Sequence, residues 1–170
     1  FRFVCQIPVE REVMSGKGAE IEICGLRGGH SGVEIHKQRG NANKLAGRLL
    51  CHLRHVAEYA LVETNGGSKD NVITLANKIK IAAKDLAPLK AAVAEMEAAW
   101  KVEFGADEPG LAVKFTELED ADYQVMTEAS AEKVIAFLVN CPNGVDEYNR
   151  SLPGLVETSD NLGVTETEEG

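Results

Sequence analysis

Residues 19–26 read AEIEICGL, an alternation of apolar and acidic side chains with a period of two. Such alternation is typical of a strand that buries one face and exposes the other. We therefore predict a half-buried strand at 19–26. A glycine-rich loop follows at 28–32, which reads GGHSG, and from Asn41 the apolar spacing changes to three and four residues. The change of period predicts that the strand leads through this loop into a helix.

Three helices are predicted from apolar stripes. The first runs from Asn41 to Ala60 with leucines on one face, about five turns at the usual pitch. The second carries a stripe from Leu86 to Trp100, capped by Asp85 and with Pro88 in its first turn. The third and shorter one spans 131–140, with Ser130 as its cap.

Further strands are predicted at 1–9, 61–64, 111–116 and 155–165, with one irregular strand over 72–83 and a turn at 15–18. Strands interleaved with helices in this way predict an α+β fold. The expected architecture is a two-layer sandwich of mainly antiparallel sheet, with two long helices on one face plus a third shorter helix. The acidic stretch 166–170 predicts a hairpin turn.

Chain length and composition limit the classes of protein to consider. The 170 residues predict one domain, 1–170, and a start at Phe1 instead of Met leads us to expect a longer parent polypeptide. A net charge of −9 argues against non-specific nucleic-acid binding, which requires a basic surface. No apolar run is long enough to predict a membrane span. The four scattered cysteines predict free thiols and a cytoplasmic location.

The loop at 28–32 is the one stretch whose residues indicate chemistry. Consecutive glycines let the backbone turn sharply and let a ligand come close. A single imidazole there, His30, can donate a hydrogen bond to a developing oxyanion or carry a proton near neutral pH. On spacing alone, a glycine turn whose histidine faces solvent explains the stretch at least as well.

Other catalytic and metal-binding patterns are not supported. His52 and His55 have i,i+3 spacing, but no carboxylate or third ligand accompanies them, so we predict no metal site in this chain. His36 has no implied partner. Ser31 lies beside His30 without the third group of a catalytic triad, and no Lys-Ser or Lys-Thr follows the glycines as in a phosphate loop.

Three blocks of sequence resemble the aminoacyl-histidine dipeptidases, which are also called Xaa-His or cytosolic non-specific dipeptidases. The first block covers 25–36 and 39–45, beginning GLRGGHSGVEIH. The second pairs NGG at 65–67 with NVI at 71–73, and the third joins PNGV at 142–145 to PGLVETS at 153–159 and NLGV at 161–164. The blocks occur in the family's order and span nearly the whole chain.

The resemblance implies an enzyme whose zinc ligands lie in a catalytic domain outside this chain, with this chain as an inserted lid that carries the dimer contact. It also implies a dipeptide substrate and a homodimer. His30 resembles the lid histidine that stabilises the oxyanion, reaching the partner subunit's site. Asn71 resembles a lid asparagine that binds substrate, and Gly28, Gly29, Ser31 and Gly32 form the supporting loop.

The sequence departs from the family pattern next to Asn71. Thr74 and Leu75 stand where the family commonly has Pro and Arg, and Asp70 replaces a residue that is often basic. The departures at Thr74 and Leu75 favour an alternative, a non-catalytic small-molecule-binding or regulatory domain with the same sandwich. A pure dimerisation module is a third hypothesis. The family's arginine for the substrate carboxylate is expected beyond Gly170, so Arg150 is not given that role.

Overall fold

The computed structural model describes residues 1–168 and shows an α+β fold built on a four-stranded antiparallel sheet, as predicted. The strands of this sheet stand in the order β3 (Ala60–Gly66), β5 (Asn77–Ala83), β1 (Arg11–Cys24), β6 (Ala112–Met126). Two small antiparallel pairs accompany it. They are β2 (Gly29–His30) with β4 (Val72–Ile73), and β7 (Gly144–Tyr148) with β8 (Val156–Asp160).

Four helices complete the described part of the chain: α1 (Ser31–Glu34), α2 (Ala42–Leu53), α3 (Ala87–Phe104) and α4 (Glu128–Asn140). Short 3-10 turns stand at Ile35–Lys37 and Gly105–Asp107. Within residues 1–168, no helix has the length and apolar character needed to cross a membrane. All four cysteines are free thiols, as predicted.

The alternation at 19–26 places one face of β1 in the core. Ala19, Ile21 and Ile23 are fully buried, and Ile21 lies opposite Ile79 of β5 and Phe115 of β6. Apolar side chains of α2, α3 and α4 pack in the same core. Helices therefore cover one face of the sheet, which confirms the predicted two-layer arrangement.

The other face of the sheet carries paired charges. Glu20 lies 3.4 Å from the Lys78 ammonium and Glu22 lies 3.2 Å from that of Lys114, across neighbouring strands. Opposite charges on adjacent strands stabilise a sheet only slightly when they are exposed. Residues 20 and 22 are thus acidic because their side of β1 faces solvent.

The predictions at the beginning of the chain were wrong. Residues 1–10 form no strand; instead the Glu10 N–H donates to the Ser130 hydroxyl at 2.9 Å and Val9 packs on the core. The turn predicted at 15–18 is part of β1, which runs on to pair with β6 through a bulge between Lys17 and Ala19. Glycine is needed at position 18 because the Tyr123 side chain occupies the space that a Cβ would take.

Two predicted elements have different lengths. Helix α2 ends at Leu53, seven residues before the predicted end, because Ala60 begins β3 and the His55 and Val56 N–H groups turn back to His52 and Leu53 in tight i→i−3 bonds. The predicted strand 111–116 extends to Met126 as β6. The predicted strand 155–165 is only Val156–Asp160, and its hairpin partner β7 was not predicted.

Other details of the helices and strands also differ. Helix α4 begins at Glu128 with Thr127 as its cap, because the Thr127 hydroxyl accepts from the Ser130 N–H, and at 13 residues α4 is slightly longer than α2 with 12. Helix α3 has Leu86 at its N-cap without a side-chain cap, so the prediction of Asp85 as the cap was wrong by one residue, although the Asp85 side chain accepts from the Ala87 N–H at 3.0 Å. The acidic turn predicted at 166–170 ends in residues outside those described.

The single irregular strand predicted at 72–83 is two strands with different partners. Val72–Ile73 pairs with Gly29–His30, whereas Asn77–Ala83 pairs with β1 and β3. Residues 74–76 lie between them, and Thr74 is buried there. The division brings the segment containing Asn71 to the loop containing His30.

Candidate functional site

The glycine loop has a backbone that only glycine adopts easily. Gly28 has φ +61° and Gly29 has φ +133°, values that L side chains rarely take. A Cβ on Gly29 would also stand 2.5 Å from the Glu34 carboxylate and 2.7 Å from the Arg39 guanidinium. The two glycines therefore allow the chain to pass close to a pair of charged groups.

His30 follows these glycines with its side chain exposed. It caps the single turn of α1, and its Nδ1 accepts a hydrogen bond from the Gly32 N–H at 3.1 Å. An imidazole nitrogen that accepts carries no proton, so the neutral ring has its proton on Nε2. The loop thus fixes the tautomer of His30 and leaves Nε2–H as a donor.

The carboxylate of Glu34 contacts several groups of the same loop. It accepts the His30 N–H at 3.1 Å and contacts the Lys37 ammonium at 2.8 Å and the Arg39 guanidinium at 3.1 Å. The hydrogen bond from Lys37, then that from the His30 N–H, with the charge of Arg39, lowers the pKa of Glu34 from 4.5 to about 2. Arg39 also donates to the Gly28 carbonyl at 2.5 Å.

Asn71 lies directly beside this loop. His30 pairs with Val72 in the β2–β4 ladder, and the Ser31 N–H donates to the Asn71 carbonyl at 3.0 Å. The Asn71 side chain is exposed. The structure therefore brings together the two residues singled out in the sequence, His30 and Asn71, although they are 41 positions apart in the chain.

Asn161 supports the Asn71 turn from the other side. Its amide nitrogen donates to the Asp70 carbonyl at 3.0 Å and to the Val72 carbonyl at 2.9 Å. The carbonyls on both sides of Asn71 thus share one donor. Sequence reasoning missed this role, since nothing in the spacing of residue 161 indicates a partner about 90 positions earlier.

A second missed residue, Glu108, closes the base of the His30 loop. Its side chain is only 2% exposed. One carboxylate oxygen accepts the Arg27 N–H at 2.7 Å and the other accepts the Gly40 N–H at 2.9 Å. In the sequence, Glu108 is one of several polar residues in a turn, and no local pattern identifies its partners.

Thr74 and Leu75, which depart from the family pattern, have structural roles here. The Thr74 hydroxyl is buried, donates to the Gly163 carbonyl at 2.7 Å and accepts from the Asn43 amide at 3.2 Å. Leu75 lies over the hydrogen-bearing face of Gly28, where a Cβ would stand 2.7 Å from the leucine side chain. Both residues help to join the Asn71 segment to its neighbours.

The remaining candidates do not form a site. Among residues 1–168, no group of three or more His, Cys, Asp or Glu side chains could hold a metal ion. His52 and His55 stand at the end of α2 without a carboxylate ligand, and His36 is exposed in the 3-10 turn. The described residues therefore do not fit zinc.

Comparison with known proteins gives two informative matches. The chain is 32% identical over 166 residues to the cytosol non-specific dipeptidase of Escherichia coli K12, covering 95% of this chain and 34% of that protein. It also superimposes on the crystal structure of aminoacylhistidine dipeptidase from Vibrio alginolyticus with a TM-score of 0.88 and 36% identity, again over 95% of this chain and 34% of the other. No protein-family model matches the chain.

The chain spans about a third of the length of both relatives, so the likeness concerns one segment of them. Within that segment, both the sequence match and the structural match cover 95% of this chain. The resemblance of this chain to the aminoacyl-histidine dipeptidases, inferred from its three sequence blocks, is therefore confirmed in sequence and in fold for a segment of those enzymes.

Proposed function

We propose that residues 1–170 are the lid and dimerisation domain of a zinc-dependent dipeptidase that hydrolyses Xaa-His and other dipeptides in the cytoplasm. Two observations support the assignment: the chain matches a third of two proteins named as dipeptidases, one of them a cytosol enzyme, and it contains a fixed, exposed histidine. The lid role is the one that this histidine fits best.

The orientation of His30 carries the proposal. Its Nδ1 is occupied by the Gly32 N–H, so the donor Nε2–H is the group left for a ligand. His30 and Asn71 are both exposed, and neither lines the groove beside α3 or the groove between α2 and α4. An exposed donor needs a second body to exclude water before it acts strongly. Closure of a lid supplies that body.

Each residue then has a defined role. His30 Nε2–H donates to the carbonyl oxygen of the scissile bond as negative charge develops on it, a contribution of about 3–4 kcal/mol for groups of this kind. Asn71 offers an amide that hydrogen-bonds the substrate backbone. Gly28, Gly29, Ser31 and Gly32 let the loop approach closely and fix its path. In the proposed dimer, His30 reaches into the active site of the partner subunit.

The metal chemistry of the proposed enzyme belongs to the part of the polypeptide outside this chain, because the residues described here do not fit zinc. When bound there, zinc would polarise the substrate carbonyl and activate water. Residues near both ends of the chain meet beside Asn71: Arg2 lies 3.4 Å from the Asp70 carboxylate, and Asn161 donates to the Asp70 carbonyl.

The test is His30→Ala in the full-length enzyme. Turnover of a dipeptide should fall by about 10²- to 10³-fold while bound zinc stays unchanged, because the lost group is a donor and not a metal ligand. His36→Ala, on the same loop but away from the ladder, is the matched control and should retain activity. Unchanged turnover in His30→Ala would contradict the proposal.

The proposed homodimer has its own measurement. Light scattering on this chain at increasing concentration should show a mass near twice 18.3 kDa. A monomer at the highest concentration would contradict the proposal that this domain carries the dimer contact. The role of His30 would then be tested by turnover alone.

A further inference from the structure

Glu108 is an acid in an unusual place. Its side chain is 2% exposed, and no Lys, Arg or His forms an ion pair with it among the described residues. Burying a carboxylate without a cation costs free energy unless hydrogen bonds compensate. Both oxygens have such bonds, from the N–H groups of Arg27 at 2.7 Å and Gly40 at 2.9 Å.

The two donors are the two ends of the loop that contains His30. Arg27 leaves β1 and Gly40 enters α2, so one carboxylate ties together the points where the loop departs from the rigid sheet and helix layers. Inside the loop, Arg39 bonds the Gly28 carbonyl and Glu34 bonds the His30 N–H. A fixed base is needed for these inner contacts to determine where the imidazole stands.

A hydrophobic side chain of similar size could fill the same space but would leave the N–H groups of Arg27 and Gly40 without this acceptor, so the acid is explained by these two hydrogen bonds and not by packing. Two diverging backbone N–H groups are best matched by the two oxygens of one carboxylate. We propose that Glu108 is a positioning residue for His30: it clamps both ends of the histidine loop and thereby sets the position of the ring donor. The inference rests on the proposed function only for its effect on catalysis.

The first experiment needs no enzymatic activity. Glu108→Gln in this chain replaces one acceptor oxygen by an NH2 group, which cannot accept from either backbone N–H. NMR of the folded variant should show loss of the Nδ1-acceptor signature of His30 and at least about tenfold faster hydrogen exchange for amides 28–34, as expected when a local opening becomes easier. Glu108→Asp keeps the charge but shortens the reach, and should change the same signals less.

Ser130→Ala is the control, since Ser130 is also a buried polar residue (3% exposed) and bonds the Glu10 N–H near the start of α4. It should leave the His30 signals unchanged even if it lowers thermal stability. Unaltered His30 signals in folded Glu108→Gln would overturn the proposal. So would the same change in Ser130→Ala, or failure of both Glu108 variants to fold, since Glu108 would then serve the whole fold.

The second experiment uses the full-length enzyme. Glu108→Gln should lower kcat by about 10- to 100-fold, the loss that a displacement of about 1 Å produces, while KM changes by less than about threefold. A change in KM alone would contradict a positioning role for His30. If His30→Ala leaves turnover intact while Glu108→Gln loosens the loop, the proposed function fails and the clamp stands.

Discussion

The Nδ1 atom of His30 accepts a hydrogen bond from the backbone N–H of Gly32 at 3.1 Å. This contact assigns the ring proton to Nε2 and orients the imidazole in the absence of any ligand. A donor held in advance stabilises developing charge better than one that must first be ordered. The relationship also makes the state of the ring measurable in the absence of catalysis.

The tautomer of His30 is the first prediction. At alkaline pH, where histidine rings are neutral, nitrogen chemical shifts of the labelled chain should show His30 wholly as the Nε2–H form. His36, whose ring has no hydrogen bond in the described part of the chain, should show a mixture of both forms. A dominant Nδ1–H form of His30 would mean that the Gly32 contact does not exist in solution.

The second prediction concerns Gly29→Ala. The φ of +133° and the crowding by Glu34 and Arg39 should together lower the free energy of unfolding by at least about 1 kcal/mol more than Gly154→Ala does. Gly154 also has a positive φ, +83°, but a Cβ there meets nothing within 4 Å, so it isolates the backbone strain. Urea unfolding of both variants gives the comparison, and equal losses would show that Gly29 is not crowded.

The pH dependence of stability is the third prediction, and it follows from Glu34. Its folded pKa, about 2, lies below the ordinary value of 4.5, so the stabilisation is present above 4.5 and is lost as the pH falls toward 2. Between about pH 5 and pH 2, the Tm of the wild type should fall more steeply than that of Glu34→Gln. Glu95→Gln, at an exposed position of α3 without an ion pair in the described residues, should follow the wild type. Parallel curves for wild type and Glu34→Gln would show that the Lys37 and Arg39 contacts are not formed.

The fourth prediction tests the buried network around Thr74. Thr74→Val keeps the shape but leaves the Asn43 amide and the Gly163 carbonyl without this partner, so the free energy of unfolding should fall by about 1–3 kcal/mol. Thr116→Val on the open face of β6 should change it by less than about 0.5 kcal/mol. If Thr74→Val proved as mild, Thr74 would be a departure from the family without a structural cause.

The elements predicted correctly are those that local patterns define. The alternation at 19–26 gave one face of β1, because burial on one side of a strand is written in every second residue. His30 was singled out from the glycine loop at 28–32 and Asn71 from the family resemblance, and their roles stay predictions. The end of α2 was missed because the apolar spacing continues to Val56, which is 40% exposed, after the chain has already turned.

What could not be predicted are contacts between distant segments. Glu108 bonds groups 68 and 81 positions away, and Asn161 bonds carbonyls 89 and 91 positions away. Periodicity and capping rules describe neighbours along the chain and contain no information on such pairs. The division of 72–83 into two strands was missed for the same reason, since its cause is the position of Gly29 and His30.

The Glu108 carboxylate is far along the chain from the two backbone N–H groups that donate to it. This separation determines when the contacts can form during protein synthesis. Closing contacts over long separations is entropically costly and comes late. When the ribosome has made residues 27–40, the clamp that will hold them has not yet been translated, and α3 must be added before it exists. A nascent chain that ends before position 108 would contain His30 but not the carboxylate that bonds both ends of its loop.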